Sequence, residues 1–494
     1  MIRYAFNWLS WMNILVITFL IVASCAITTA PSEGGEHVYY CYVPPSSDLP
    51  ELIELIDGKQ YNYTPPPGTA LLDVVAIHDD TKVDIVNIVT GEVMYSFTLD
   101  ALEWRTLPIS FGTFFKVVSN KRIMASLVGG SDYPSGLTAA GHGTGGTGVI
   151  YPAADGGFIG KYFVIVPVSV TSGLVAYEAG YNALILGIES TEFEIVDSVK
   201  KWSLKASVKQ QEAKRYSLWC RIMAGFPPAI GPGNSMVFTI KSRANIMVTA
   251  VNTGCLVAVP ALSGGFAGKM FYIPAFFSYE MVEGCVAAIV VVPTKACKVE
   301  VYDARTMDKI AEKSFSERDV EADAVWFYKL GRVRDKEYII ASEAPITLLA
   351  GSTLGGEDIQ HLGPDVTFMG ARPGETIKFY VPTLGVVFTP EDAELVIDGK
   401  TLSLKADSYI LLDQGVHTLR SNKVVIIELV SSVQGLSRWG TYLIEPLDIT
   451  KEFKVPEGFG KPKGGFPIWI ITVVVLVTLV CAFLVLRKRR ARRP

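Results

Sequence analysis

YFVIVP (Tyr162–Pro167) is the stretch whose reading decides the fold, because the chain writes variants of it repeatedly. A short aromatic and β-branched run ending in proline also stands at YYCYVP (Tyr39–Pro44), MFYIP (Met270–Pro274) and IKFYVP (Ile377–Pro382). A degenerate copy, TYLIEP, ends at Pro446. Val, Ile, Tyr and Phe suit a pleated, half-buried surface, and proline closes such a strand because it cannot donate to the ladder. Pro44, Pro167, Pro274 and Pro382 follow at similar intervals, and only the last interval, to Pro446, is shortened. Self-similarity at a fixed period marks a repeat architecture.

Two further signatures keep the same phase. One alternates acidic or polar with apolar residues: TKVDIV from Thr81, TEFEIV from Thr191, CKVEVY from Cys297 and AELVID from Ala393. Alternation of that period puts one face of a strand on a core and the other in water. The second is a polar break between two β-rich runs, centred on Ser119, Ser242, Ser342 and Ser421. A break of that length reads as a hairpin turn. Seven or eight strands fall in each unit, and Leu49 to Ile56 is the one short helical candidate.

The expected fold class is therefore all-β, with units at about 35–160, 161–268, 269–375 and 376–450. Eight strands per unit would make two four-stranded propeller blades, with the first proline strand beside the degenerate last copy to close the ring. Seven would make tandem β-sandwiches instead. The matching strands near both ends favour the β-propeller.

The two termini carry their own signals. Phe466 to Leu486 is apolar, free of charge from Ile468 onward, and followed by Arg487, Lys488, Arg489, Arg490, Arg492 and Arg493. A run of that length matches the hydrocarbon core of a bilayer, and a basic cluster behind it stays cytoplasmic. The expectation is one C-terminal transmembrane helix at 466–486 with the lipid bilayer as partner, and a basic tail at 487–494. A Gly/Pro stalk at 455–465 would precede it, and an extracellular ectodomain would fill 27–454. Residues 1–26 have the layout of a signal peptide or signal anchor. Val22 to Cys25 also resembles a lipobox, which would lipidate Cys25.

The formal charge of −4 becomes −11 for the exported part once Arg3 and the six tail cations are set aside. An acidic exterior without a basic run argues against nucleic acid. The sequon Asn62-Tyr63-Thr64 makes Asn62 an expected glycan acceptor. Cys285 and Cys297 flank a predicted hairpin turn at Pro293 to Lys295 whose register would hold them too far apart to bond.

The five histidines, His37, His78, His142, His361 and His417, are scattered. No metal-ligand spacing, nucleophile elbow or P-loop appears, so no catalytic residue, metal or cofactor is expected. The Gly-rich segment around Gly141 to Gly148 runs into a strand and reads as a loop. Asp79-Asp80 and the run Glu317 to Asp323 read as solvated charge sooner than as calcium ligands. Tyr133, Trp219, Trp326 and Trp439 are aromatics that could stack on a sugar.

The aromatic strand ending in Val-Pro, the strand Asp79–Ile85 and the Ser-centred breaks together resemble the repeats of the N-terminal domain of IgGFc-binding proteins, a family with microbial surface relatives. The resemblance spans most of 35–450 and departs at the breaks, which read Ser-Asn-Lys-Arg or Ser-Glu-Ala-Pro where the family has Ser-Asp-Lys-Pro. It implies exported β repeats with an adhesive or binding role. The expectation is a single-pass, non-enzymatic surface protein for extracellular binding, adhesion or envelope scaffolding, with a protein or glycan ligand. The alternative is a membrane-tethered exoenzyme acting on polysaccharide.

Overall fold

The computed structural model describes residues 35–45, 52–56, 59–63, 68–130, 149–165, 182–198, 203–217, 237–250, 256–274, 286–331, 336–353, 365–431 and 438–462, with Leu476 and Val480. The chain is all-β in repeating units, as the sequence implies, but each later unit opens with a strand ahead of its expected boundary, at 149, 256 and 365. The first unit holds β1 (His37–Tyr42), β2 (Leu52–Ile56), β3 (Lys59–Tyr63), β4 (Thr69–Ala76), β5 (Thr81–Asn87), β6 (Val93–Leu99), β7 (Trp104–Ser110), β8 (Phe114–Ser119) and β9 (Ile123–Gly130). The second holds β10 (Val149–Ile150), β11 (Gly160–Ile165), β12 (Asn182–Gly187), β13 (Thr191–Asp197), β14 (Ser203–Val208), β15 (Ala213–Ser217) and β16 (Phe238–Ala250).

The third unit runs through β17 (Leu256–Ala258), β18 (Ala267–Pro274), β19 (Val286–Pro293), β20 (Cys297–Asp303), β21 (Lys309–Phe315), α1 (Glu317–Glu321), β22 (Trp326–Gly331) and β23 (Glu337–Thr353). The fourth comprises β24 (Asp365–Ala371), β25 (Thr376–Val381), β26 (Leu384–Thr389), β27 (Ala393–Ile397), β28 (Lys400–Leu404), β29 (Ser408–Leu412), β30 (Gly415–Ser421) and β31 (Val425–Ser431). Two elements follow it, β32 (Arg438–Tyr442) and α2 (Pro446–Thr450).

The fourth unit shows the plan most plainly. Its two antiparallel sheets are ordered β24-β31-β26-β29 and β25-β30-β27-β28. That is the strand order of a jelly roll, eight strands in two interleaved Greek keys. A propeller blade is a meander of consecutive strands, and neither sheet is one. The propeller expectation is thus corrected to the two-sheet alternative.

The Ser-centred breaks explain the difference. They are corners, not hairpins. In the second and third units β16 and β23 run unbroken through the break, pairing with one set of strands before it and another after. The serines brace the corner: Ser242 Oγ donates to the Ala244 carbonyl at 2.7 Å, and Ser119 Oγ to that of Lys121 at 2.7 Å. The expected hairpin about Pro293 to Lys295 fails for the same reason. β19 pairs with β22 and β23, β20 with β21 and β23, so that turn also crosses between sheets. Leu52–Ile56, inside the one helical candidate, is strand β2 paired with β3.

The two sheets of a unit face different surroundings. β4, β24 and β31 are buried at every position, whereas β5, β13 and β27 alternate buried with exposed or half-buried residues. A strand covered on both faces loses its alternation; one with a wet face keeps it. The sheets containing β4, β12, β19 and β26 accordingly turn inward, and the acidic strands look outward.

The units close into a ring. β10, β17 and β24 each begin a unit, but among the described residues the first unit shows no such strand ahead of β1. β32, from the far end of the chain, takes that place by pairing with β9. The closure differs from the expected one: the first proline strand, β1, pairs with β8, and the last copy joins the first unit through β9. β17 touches β24, β24 touches β32, and β32 touches β10. Aromatic edge contacts tie the centre: Tyr151 with Tyr442 at 4.8 Å, and Phe158 with Phe266 at 5.5 Å. The space left among Ile150, Val257, Phe368 and Tyr442 is about 20 Å³, room for one water and no ligand.

Candidate functional site

Two constellations stand out, one at the ring's centre and one on its outer face. At the centre the segment after β32 touches every unit. Pro446 starts α2, where its missing N–H costs nothing. Arg122, at the β8–β9 corner and 3% exposed, binds Glu445 through Nη1 and Asp448 through Nη2. His37, the first residue of β1, holds the other Glu445 oxygen at 2.8 Å. Gly157 N–H donates to Asp448 at 3.1 Å, Arg372 Nε to the Ile449 carbonyl at 2.9 Å, and Phe453 N–H to the Ser263 carbonyl at 3.1 Å.

Burial works against ionising Glu445, but the His37 hydrogen bond and the Arg122 charge outweigh it and hold its carboxyl below the usual range. Burial wins at Asp448, whose carboxyl is pushed up despite Arg122. A second buried acid, Glu428, sits where the fourth unit meets the first. It accepts the Tyr42 N–H at 2.7 Å, and burial raises its carboxyl well above the ordinary range. These groups join units together; none opens to solvent.

The outer face of the second unit is different. There a groove of about 490 Å³ lies over β13, β14 and β16, lined by Glu192, Glu194, Lys205, Ser207, Lys241 and Arg243 among others. Strand pairing places Tyr162 opposite Lys241, Lys241 opposite Glu194, and Glu194 opposite Lys205. Directly paired residues project from the same face, so these four form a row across the sheet. Lys241 Nζ lies 5.0 Å from the centre of the Tyr162 ring.

The corresponding rows elsewhere differ. In the third unit the row is Met270, Ala341, Glu300 and Glu312. Its charges are spent on one another: Lys298 pairs with Glu300 and Glu312 at 2.9 Å, and Lys309 also reaches both acids. The Lys298 hydrogen bond, aided by Tyr302, takes the Glu300 carboxyl down to about 2. The first unit has Val38, Val118, Asp84 and Ser96, and the fourth Thr376, Arg420, Val396 and Thr401.

Among the residues singled out in the sequence, Asn62 lies on β3, the second strand of an antiparallel hairpin. Cys25, the basic tail Arg487 to Arg493, Tyr133, Trp219, His142 and His361 lie outside the described residues. So does 466–486 apart from Leu476 and Val480, which are helical and exposed. Among the described residues no helix is long and apolar enough to cross a membrane. Cys297 is a buried free thiol, as is Cys41; Cys285 is outside the described range.

The acidic run Glu317 to Asp323 is a capped helix. Ser316 and Asp319 exchange the two hydrogen bonds of a capping box, and Asp323 pairs with Lys378 at 2.6 Å. Asp79 accepts the Ala101 N–H at 2.9 Å. Trp326 is half-buried against Tyr328, and Trp439 lies on β32. His417 binds Asp398 at 2.7 Å. The segment expected as a free stalk is docked as far as it is described: Phe459 is buried against Tyr272, and Gly460 N–H donates to Gln211 at 2.7 Å. Sequence reading missed the Tyr162–Lys205 row and the Arg122 cluster. The only local sign of the latter is Glu445 and Asp448 inside an apolar run.

No family model matches the chain, and no curated protein matches it. Among solved structures it is similar to a cupin 2 conserved barrel domain protein from Leptotrichia buccalis, at 11% identity and a TM-score of 0.13, over 36% of this chain and 91% of that one. It is also similar to a chain from the structure described as "The Triple Jelly Roll Fold and Turret Assembly in an Archaeal Virus", at 9% identity and a TM-score of 0.11, over 63% of this chain and 89% of that one. Superpositions this poor carry no argument about fold or function; the jelly-roll assignment rests on strand order alone.

Proposed function

We propose that this chain is a single-pass surface protein whose ring of four β units binds or scaffolds material outside the cell. The observation that carries the reading is the charge-free run Ile468–Leu486 followed by six basic residues, a stop-transfer pattern. The docked hub supports it. A chain that crosses the ring's centre, contacts all four units and then runs toward 466–486 would transmit anchoring to the whole ring and not to its last unit alone. The resemblance to the β repeats of IgGFc-binding proteins points the same way and belongs to this proposal.

Protease treatment of intact cells tests it, with an epitope tag placed after Pro494. The expected outcome is digestion of the β units with the tag protected. A tag removed from outside overturns the topology.

A further inference from the structure

We infer that the outward groove of the second unit is a binding site for an acidic oligosaccharide, one carrying uronate-type carboxylates on alternate sugars. This deepens the proposed surface-binding role and rests on it.

The row Lys241, Glu194, Lys205 alternates cation, carboxylate, cation across three adjacent strands. With neighbouring strands about 4.8 Å apart, the two lysines are about 9.6 Å apart along the row. That is the length of two linked pyranose rings, hence the repeat between carboxylates on alternate sugars. Glu194 between them is an acceptor for the hydroxyls of the intervening ring, and Ser207 lies in the same groove. The side chains of Lys205 and Glu194 make no hydrogen bond or ion pair with any described residue, and Lys241 has only the Tyr162 ring.

The third unit is the internal control. It carries the same strands in the same order, yet there the lysines and glutamates neutralise one another. Isolated solvated charge would be expected to behave alike in both units. In the second unit Arg243 and Glu192 pair at 3.0 Å at the edge of the groove, but Lys241, Glu194 and Lys205 keep their charges, of alternating sign, facing it. An acidic peptide fits less well, because Glu194, between the two lysines, would repel its carboxylates while finding no hydroxyls to bind.

The test is calorimetry on the full-length protein in detergent, with a tetrasaccharide alternating uronate and neutral sugar. The same tetrasaccharide reduced to alcohols and a glutamate peptide of equal charge are the comparison probes. Binding to the acidic sugar is expected, with Lys205→Glu and Lys241→Glu each weakening it at least tenfold, as loss of a charge-assisted hydrogen bond does. Lys298→Glu in the third unit should leave it unchanged, and thermal melts confirm that each variant folds. Absence of binding, indifference to the two lysine variants, or equal binding of the reduced sugar or the peptide overturns the inference. A protein shown to be surface-exposed that fails here loses only this site. One that binds but proves not to be surface-exposed loses only the functional reading.

Discussion

Replacing Arg122 by methionine should weaken the whole ring, not one unit. Arg122, Glu445 and Asp448 are all buried, and the arginine satisfies a carboxylate on each side. Removing it leaves two buried acids facing each other, with His37 and Tyr39 on Glu445 and the Gly157 and Glu445 N–H groups on Asp448 as remaining partners. Breaking a buried pair from one side costs about 3–5 kcal/mol. The variant Arg122→Met/Glu445→Gln/Asp448→Asn removes the charges together while keeping hydrogen-bonding shape, so it should recover most of that loss. Urea unfolding followed by far-UV circular dichroism measures both. Because the segment around α2 contacts every unit, one transition should move to lower urea as a whole. A single variant within about 1 kcal/mol of wild type, against the cost expected for a broken buried pair, or an early transition confined to one unit, refutes the hub. The pH dependence has a defined sign. Glu445's carboxyl is lowered in the fold, so its contribution is present above the unfolded range near 4.3 and is lost as pH falls through its folded value. Asp448, raised, opposes this: its contribution is lost as pH rises through its own folded value. Arg122→Met, which leaves the His37 hydrogen bond in place, should shrink the acid-side loss due to Glu445.

Glu428→Gln should stabilise the protein at neutral pH, since the amide oxygen can keep the Tyr42 N–H bond while nothing remains to ionise. The wild type, with this carboxyl raised by burial, should lose about 1.4 kcal/mol per pH unit above the unfolded carboxyl range for as long as the buried group stays protonated. Urea titrations at pH 5 and 7 decide it, and equal pH dependence in the two proteins would falsify the assignment. Gly264→Ala should destabilise by more than Gly91→Ala. Both have positive φ, +87° and +74°, but a methyl on Gly264 meets the Lys451 carbonyl while one on Gly91 meets nothing. Equal midpoint shifts in thermal melts would show that Lys451 does not press on that turn.

The strands were legible because their signals are local. Proline ends, β-branched runs and polar alternation each act within a few residues, whereas the strand that receives β32 is β9 and not the matching first proline strand. Which strands pair was not legible in the same way. A polar break of three or four residues has the same composition whether the chain reverses or bends. At Ser242 the following strand carries on into the second sheet because β12 and β10 wait there to pair with it. No property of Ser-Arg-Ala-Asn itself chooses between the two, and with the corner misread the sandwich reads as a meander.

The same limit hides both constellations. Lys241 meets Glu194 only because the long strand β16 lies between β11 and β13, and Lys205 joins them only through the β13–β14 register. A slip of one residue in either pairing would send one lysine to the core face and erase the row. Arg122 likewise reads as part of a surface turn until β32 is laid beside β9 and brings Glu445 and Asp448 to it. Chemistry assembled across strands from distant parts of the chain leaves no motif, which is why a search for contiguous patterns found the scaffold and not the groove. The contrast between the second and third units sharpens the point. TEFEIV and CKVEVY share their alternation, and what separates a charged groove from a self-neutralised sheet is Glu192 against Lys298 within the strand, with Lys241 against Ala341 and Lys205 against Glu312 on the neighbouring strands.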